Sequence, residues 1–184
     1  MNILCLSGIR LVSWLNEDST YPRLQSNIER TFPSTPNRQN SSITPTVRTI
    51  EYTPHTGSNM LEVNAQVSGN SQTTYNVKLM FNNVNFESTD SSSNVTFITS
   101  SGSEQSIDPI NINNSTVKVS CTCMDFRFRF ATWNFADNSL VGAKPPLYVR
   151  KTQNRPPVNP TKTPGVCKHI IATVRNAQSQ HIVV

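Results

Sequence analysis

Apolar side chains and charge are both scarce in this chain. Hydrophobic residues make up 35%, against the roughly 45–50% of ordinary globular proteins, a count that includes glycine. Charged residues make up only 15%, so Ser, Thr, Asn and Pro fill the gap. Such a chain buries a modest core, and its 184 residues are expected to form one domain, or one domain plus an arm. No run approaches the ~18 apolar residues of a membrane helix, so no membrane partner is expected. The apolar start MNILCLSGIRLVSWLN is interrupted by Arg10 and followed by no small-residue cleavage pattern, so no signal peptide is expected. Histidines number three, and there is no glycine-rich phosphate loop. With no nucleophile–base set in view, neither an enzyme nor a small-molecule substrate is expected.

What charge there is lies unevenly. Residues 1–116 carry six Lys/Arg against nine Asp/Glu, a balance of −3, while residues 117–184 carry ten against two, a balance of +8. A basic segment of this kind suits an anionic partner, either nucleic acid or the acidic face of a neighbouring protein.

Residues 1–46 read as an N-terminal segment and arm. The first 16 could form a short buried helix or strand. Residues 17–46 are polar and hold Pro22, Pro33, Pro36 and Pro45, with no period beyond a helical turn around LQSNIERTF, and are expected to be extended. Residues 47–116 form a β-rich region. VRTIEY, MLEVNAQV and TYNVKLMF alternate with a period of two, with Tyr75, Val77, Leu79 and Phe81 on one face. NVNFE is expected to continue the last strand past a bulge at Asn82–Asn83. A serine-rich stretch follows, with one short strand over residues 94–99. In residues 117–184, STVKVSCTC is another alternating strand, and CKHIIATVRNAQ reads as a helix with Ile170, Ile171 and Val174 toward the core. Between them, residues 145–164 hold six prolines. This insert forms neither helix nor central strand and should run as a stiff extended strap.

Cys121 and Cys123 stand one residue apart, so on a strand both thiols face the same way. A disulfide between them is strained, because i and i+2 lie ~7 Å apart at Cα. Pairing with another cysteine needs an oxidising compartment. The remaining reading is metal, and GVCKHI supplies Cys167 and His169 at the start of a helix. Three thiolates and one imidazole make a closed, tetrahedral structural zinc set, with a redox or fortuitous thiol pair as the alternative. Cys5, in an apolar run, reads as a small buried hydrophobe, and His55 and His181 as surface or loop residues.

The pattern C-x-C … C-x-H, with Asp125 and Phe126 after the first pair and CKHIIATV around the second, resembles the zinc-binding signature of SWIM domains. The resemblance covers residues 117–177 and implies a β-β-α unit with Cys121, Cys123, Cys167 and His169 as zinc ligands. The spacer from Cys123 to Cys167 is 43 residues, longer than is usual there. Residues 144–169, KPPLYVRKTQNRPPVNPTKTPGVCKH, are similar to the insert of small structural proteins of tailed phages, particularly T4-like phages of cyanobacteria and marine bacteria. Residues and resemblance together imply an α+β, mostly β fold: an antiparallel β domain, a small zinc-stapled β-β-α module and long irregular arms.

In DFRFRFATWNF, a strand would point Phe126, Phe128 and Phe130 into the core and Arg127 and Arg129 outward. Arg127, Arg129, Lys144, Arg150, Lys151 and Arg155 are the expected partner-binding cations. The phage resemblance implies a structural virion protein of the tail, baseplate or neck, assembled in the host cytoplasm. It would clamp neighbouring subunits and could also touch DNA. The alternative is a nucleic-acid-binding zinc-finger protein.

Overall fold

The computed structural model describes residues 19–31, 44–69, 73–86, 94–146 and 158–184. Within these the fold is α+β and mostly antiparallel sheet. Strands β1 (Val47–His55), β2 (Met60–Ser68) and β3 (Thr74–Phe81) form a meander, and β6 (Val117–Cys121) pairs with β3 to complete a sheet ordered β1-β2-β3-β6. Register runs in rows across it. Tyr52 faces Val63, which faces Leu79, which faces Val119; one row over, Ile50, Ala65, Val77 and Cys121 align. Because side chains alternate, these rows share one face, and that face is the core. The other face is polar. On it Lys78 donates to Glu62 at 2.7 Å, and this bond holds the Glu62 carboxyl below its ordinary range.

Helix α3 (Lys168–Ser179) lies across all four strands, burying Ile170, Thr173, Val174 and Ala177 as its period requires. The chain then folds back. Ile110 and Ile112 exchange backbone hydrogen bonds with Ile182 and Val184 at 2.9 Å, seating the C-terminal residues beside the core. The hairpin β4 (Val95–Ile98) and β5 (Glu104–Ile107) hangs from β1 through the Tyr52–Thr99 bridge and the Tyr52–Phe97 ring contact, centroids 5.1 Å apart.

Several local expectations are corrected. Residues 21–31 are not extended arm but helix α1 (Tyr21–Thr31), with Tyr21, Leu24 and Ile28 buried. Their spacing of three and four is helical, and Pro22, in the first turn, has no intrahelical N–H bond to lose. Strand β3 does not continue past a bulge. Asn83 takes a left-handed conformation (φ 59°) and turns the chain, so that the Val84 N–H donates to Asn59 O at 2.9 Å. FRFRF is not a strand. The chain is helical from residue 124, passes through a π-helical turn (Phe126–Phe130) and continues as α2 (Ala131–Ala136). Phe126 and Phe130, one turn apart, are buried together, whereas Phe128 is only half-buried.

The sheet crosses the boundary drawn at residue 117, since β6 is a strand of the same sheet as β1–β3. Beside it, Leu140 makes a single parallel bridge with Val119, so strand β6, one bridged residue and α3 stand where a β-β-α unit was expected. Residues 1–16 with Cys5, and residues 147–157 of the proline-rich insert, lie outside the described residues.

Two outcomes check this packing. Leu24→Ala should cost about 2–5 kcal/mol in urea unfolding, because Leu24 is fully buried; a dangling arm would lose nothing. Tyr52, whose hydroxyl donates to Gln180 Oε1 at 2.6 Å, is pushed up to about 12 by burial. Its folded-state value lies above that of the unfolded chain, so its stabilisation is full below about pH 10 and lost as pH rises toward 12. A phenolate titration should show two late-titrating groups, Tyr21 and Tyr52, both raised by burial, and Tyr52→Phe should remove one of them.

Candidate metal centre

Each donor is placed by an element whose position the core fixes. Cys121 ends β6 on the core face, at the end of the Ile50–Ala65–Val77 row. Cys123 follows where the chain leaves the strand and turns helical. Cys167 caps α3 in extended conformation (φ −94°, ψ 168°), and His169 sits in the first turn of that helix. All four are buried, and their ligand atoms lie within 4.8 Å of one another. His169 Nδ1 is 3.9 Å from both Cys121 Sγ and Cys167 Sγ.

These distances fit a metal ion. Donors at ~2.3 Å from a tetrahedral centre stand about 3.8 Å apart, which is long for a hydrogen bond but right for two ligands sharing an ion. The backbone is arranged for thiolates as well. The Cys123 N–H points at Cys121 Sγ at 3.5 Å, and the Phe126 N–H, opening the helix, at Cys123 Sγ at 3.3 Å. The thiols as a group resist ionising together. Hydrogen bonds from Cys121 and then Cys167 hold Cys123 well below the ordinary thiol range. The Cys123 side chain in turn holds Cys121 above it, and burial, then contact with Cys121 and Cys123, pushes Cys167 up. A divalent cation is what would let all three carry charge in one buried space. Four protein donors are as many as a tetrahedral structural ion would take.

The approach to Cys167 is held by amides. Buried Asn134 pairs with the backbone of Gly165: its Nδ2 donates to Gly165 O at 3.1 Å, and the Gly165 N–H donates to its Oδ1 at 2.9 Å. Asn159 donates to Arg129 O and Thr163 O, both at 2.8 Å, and Asn27 of α1 donates to Pro164 O at 3.1 Å. Gly165 itself has no room for a side chain, since a Cβ there would lie 2.3 Å from Ile28 Cδ1 and 3.1 Å from Phe130 Cε1. Behind the imidazole, the Tyr75 ring packs at 4.6 Å between centroids, and Thr173 Oγ1 donates to His169 O at 3.0 Å.

The four donors read from the sequence therefore come together. The cations divide differently. Arg127 is exposed and Lys144 is exposed, the latter 5.9 Å over the Phe135 ring. Arg129 does not face outward. It is 8% exposed and paired with Asp125 at 2.8 Å, because the helical turn that replaces the expected strand rotates it inward. Arg150, Lys151 and Arg155 lie outside the described residues. Asn27, Asn134 and Asn159 were not singled out from the sequence, and Tyr75 was placed only on the apolar face of its strand, not beside His169. Their only signal is adjacency in space, since an isolated asparagine in a polar chain carries none. Gly165, beside Cys167, could have been found as the small residue where three segments meet.

Comparison with protein-family models, with curated proteins and with solved structures finds no match. The residues and their geometry define the centre.

Cys167→Ser, which removes one of the four donors, should abolish metal binding and lower the melting temperature. Asn134→Ala, which leaves the Gly165 N–H and C=O buried without their partner, should cost about 2–3 kcal/mol and weaken metal binding roughly tenfold. Competition with a chelator at neutral pH measures the second effect, and an unchanged affinity would mean the amide bonds do not support the site.

Proposed function

We propose that the protein is a zinc-stapled structural component of a tailed-phage virion, placed in the tail, baseplate or neck, that acts by gripping neighbouring subunits. The observation that carries this reading is the closed, buried Cys121–Cys123–Cys167–His169 set at the two ends of a 43-residue spacer. Three thiols and an imidazole favour zinc, and four protein ligands favour a structural ion over a catalytic one, which keeps a position open. Zinc bound here would supply folding energy and fix the ends of the insert. The likeness of residues 144–169 to the insert of phage structural proteins supports the virion setting.

A trough of ≈ 410 Å³ lined by Thr49, Glu51, Asn64, Asn76, Lys78 and Ser120 opens on the polar face of the sheet. The Cys/His set sits behind the opposite face. Among the described residues no helix is long and apolar enough to cross a membrane. A second reading, a nucleic-acid-binding zinc module, has the +8 balance of residues 117–184 in its favour.

Native mass spectrometry should find one zinc per chain, lost on acidification together with the cooperative unfolding of the sheet. Antibody against the chain should then detect it at fixed stoichiometry in purified particles. Tight, steeply salt-dependent binding of the isolated protein to DNA, with no chain in particles, would favour the second reading instead.

A further inference from the structure

We propose that the outer stripe of the helical segment 124–136 docks an acidic, apolar-studded segment of a neighbouring protein; this rests on the assembly reading and names the partner's chemistry. Helical spacing lines up Met124, Phe128, Thr132 and Phe135, opposite the buried Phe126, Phe130 and Asn134. Met124 is 59% exposed and Phe135 41%, and Val158 stands open beside Asn159, whose amide is bonded to the middle of the same helix. Large apolar side chains at the surface of a chain so poor in them mark a contact surface.

Charge says what covers it. Arg127 sits 5.7 Å over the Phe128 ring, Lys144 5.9 Å over Phe135 and Lys162 5.7 Å over Trp133, so cations border the stripe along its length. Residues 117–184 contain two carboxylates, and both are engaged elsewhere: Asp125 pairs with Arg129 at 2.8 Å, while Asp137 pairs with Arg23 at 3.5 Å and accepts a hydrogen bond from Ser19. Ten Lys/Arg against these two leave the segment positive, and its border suits an anionic ligand.

The anion is better matched by a peptide than by a nucleic acid. Bases need free ring faces to stack on, and here lysines already lie over Phe135 and Trp133. Met124 and Val158 offer no planar surface at all. Methionine, phenylalanine and arginine are instead the residues that protein interfaces favour, methionine because its flexible thioether adapts to a partner's side chains. A segment alternating carboxylates with aliphatic or aromatic residues would satisfy both components.

The test uses the zinc-loaded full chain and labelled probes: a peptide alternating glutamate with leucine and phenylalanine, an all-glutamate peptide of equal length, and an oligothymidylate. The mixed peptide should bind best, with an affinity that falls as salt is raised. The pairs Arg127→Glu/Lys144→Glu and Met124→Ser/Phe135→Ser should each weaken it about tenfold or more while zinc content and melting temperature stay unchanged. These positions are exposed or half-buried, so the variants are expected to fold. Tighter binding of the oligothymidylate than of the mixed peptide would overturn the proposal in favour of nucleic acid. Undiminished binding by both variant pairs, or no binding of the mixed peptide, would overturn it outright. If the peptide binds as expected but the chain is absent from particles, the assembly reading fails and the docking face stands. If the chain is present in particles but the peptide does not bind, only the docking face fails.

Discussion

Three thiols and an imidazole, drawn from a strand end and a helix start, must meet in one buried space, and most of this structure is arranged to make them meet. Cys121 and Cys123 cannot shift without slipping the register of β6 against β3, and a slip of one residue would turn Val117, Val119 and Cys121 toward solvent. Cys167 and His169 cannot shift without moving α3 across the sheet. The donors are thus gathered by packing, and an ion bound among them adds its affinity to the fold. That coupling matters for a chain with few apolar residues. Its core is a single sheet face closed by α3, with Tyr21, Leu24 and Ile28 of α1 joining the same cluster, and such a core leaves a narrow margin.

Polar residues complete what the apolar ones begin. The interior contains Asn27, Asn134, Asn159 and Thr173, each of whose side chains donates to a backbone carbonyl. Arg129, also inside, brings its own counter-charge in Asp125 one helical turn away. The serine-, threonine- and asparagine-rich composition thereby serves two ends. It furnishes the open face of the sheet, and it holds irregular segments such as 158–167 that have no strand or helix of their own.

The strands β1, β2, β3 and β6 were legible in the sequence because their apolar residues alternate over five or more positions on one buried face. Helix α3 and the Cys/His cluster were legible too, the latter because a cysteine pair and a cysteine–histidine pair, both spaced i, i+2, offer the four donors that one tetrahedral ion could take. Helix α1 was hidden by composition, since only Tyr21, Leu24 and Ile28 carry its inward face amid polar neighbours. FRFRF misled because its period of two satisfies a strand, while the same five residues also place Phe126 and Phe130 one turn apart. Which pattern governs is decided at Cys123, whose thiol has to join Cys121 and whose carbonyl takes the Arg127 N–H at 3.0 Å, starting the helix. Strand β5 has little but Ile107 to announce it and exists through pairing with β4. The asparagine bonds depend wholly on tertiary proximity, which no local pattern records.

The fastening of residues 158–167 by asparagine has one more consequence. An amide is a dipole with no proton to gain or lose near neutrality and no counter-ion to compete for it. Salt that loosens the half-exposed pair of Arg23 with Asp137, or the cations along the outer helix, leaves the Asn134–Gly165 and Asn159–Thr163 bonds as they were. The approach of Cys167 and His169 to the centre is thus insulated from ionic strength, while the cation-bordered stripe of the outer helix is not. Ionic strength can then alter the outer face of this helix without disturbing the cluster behind it.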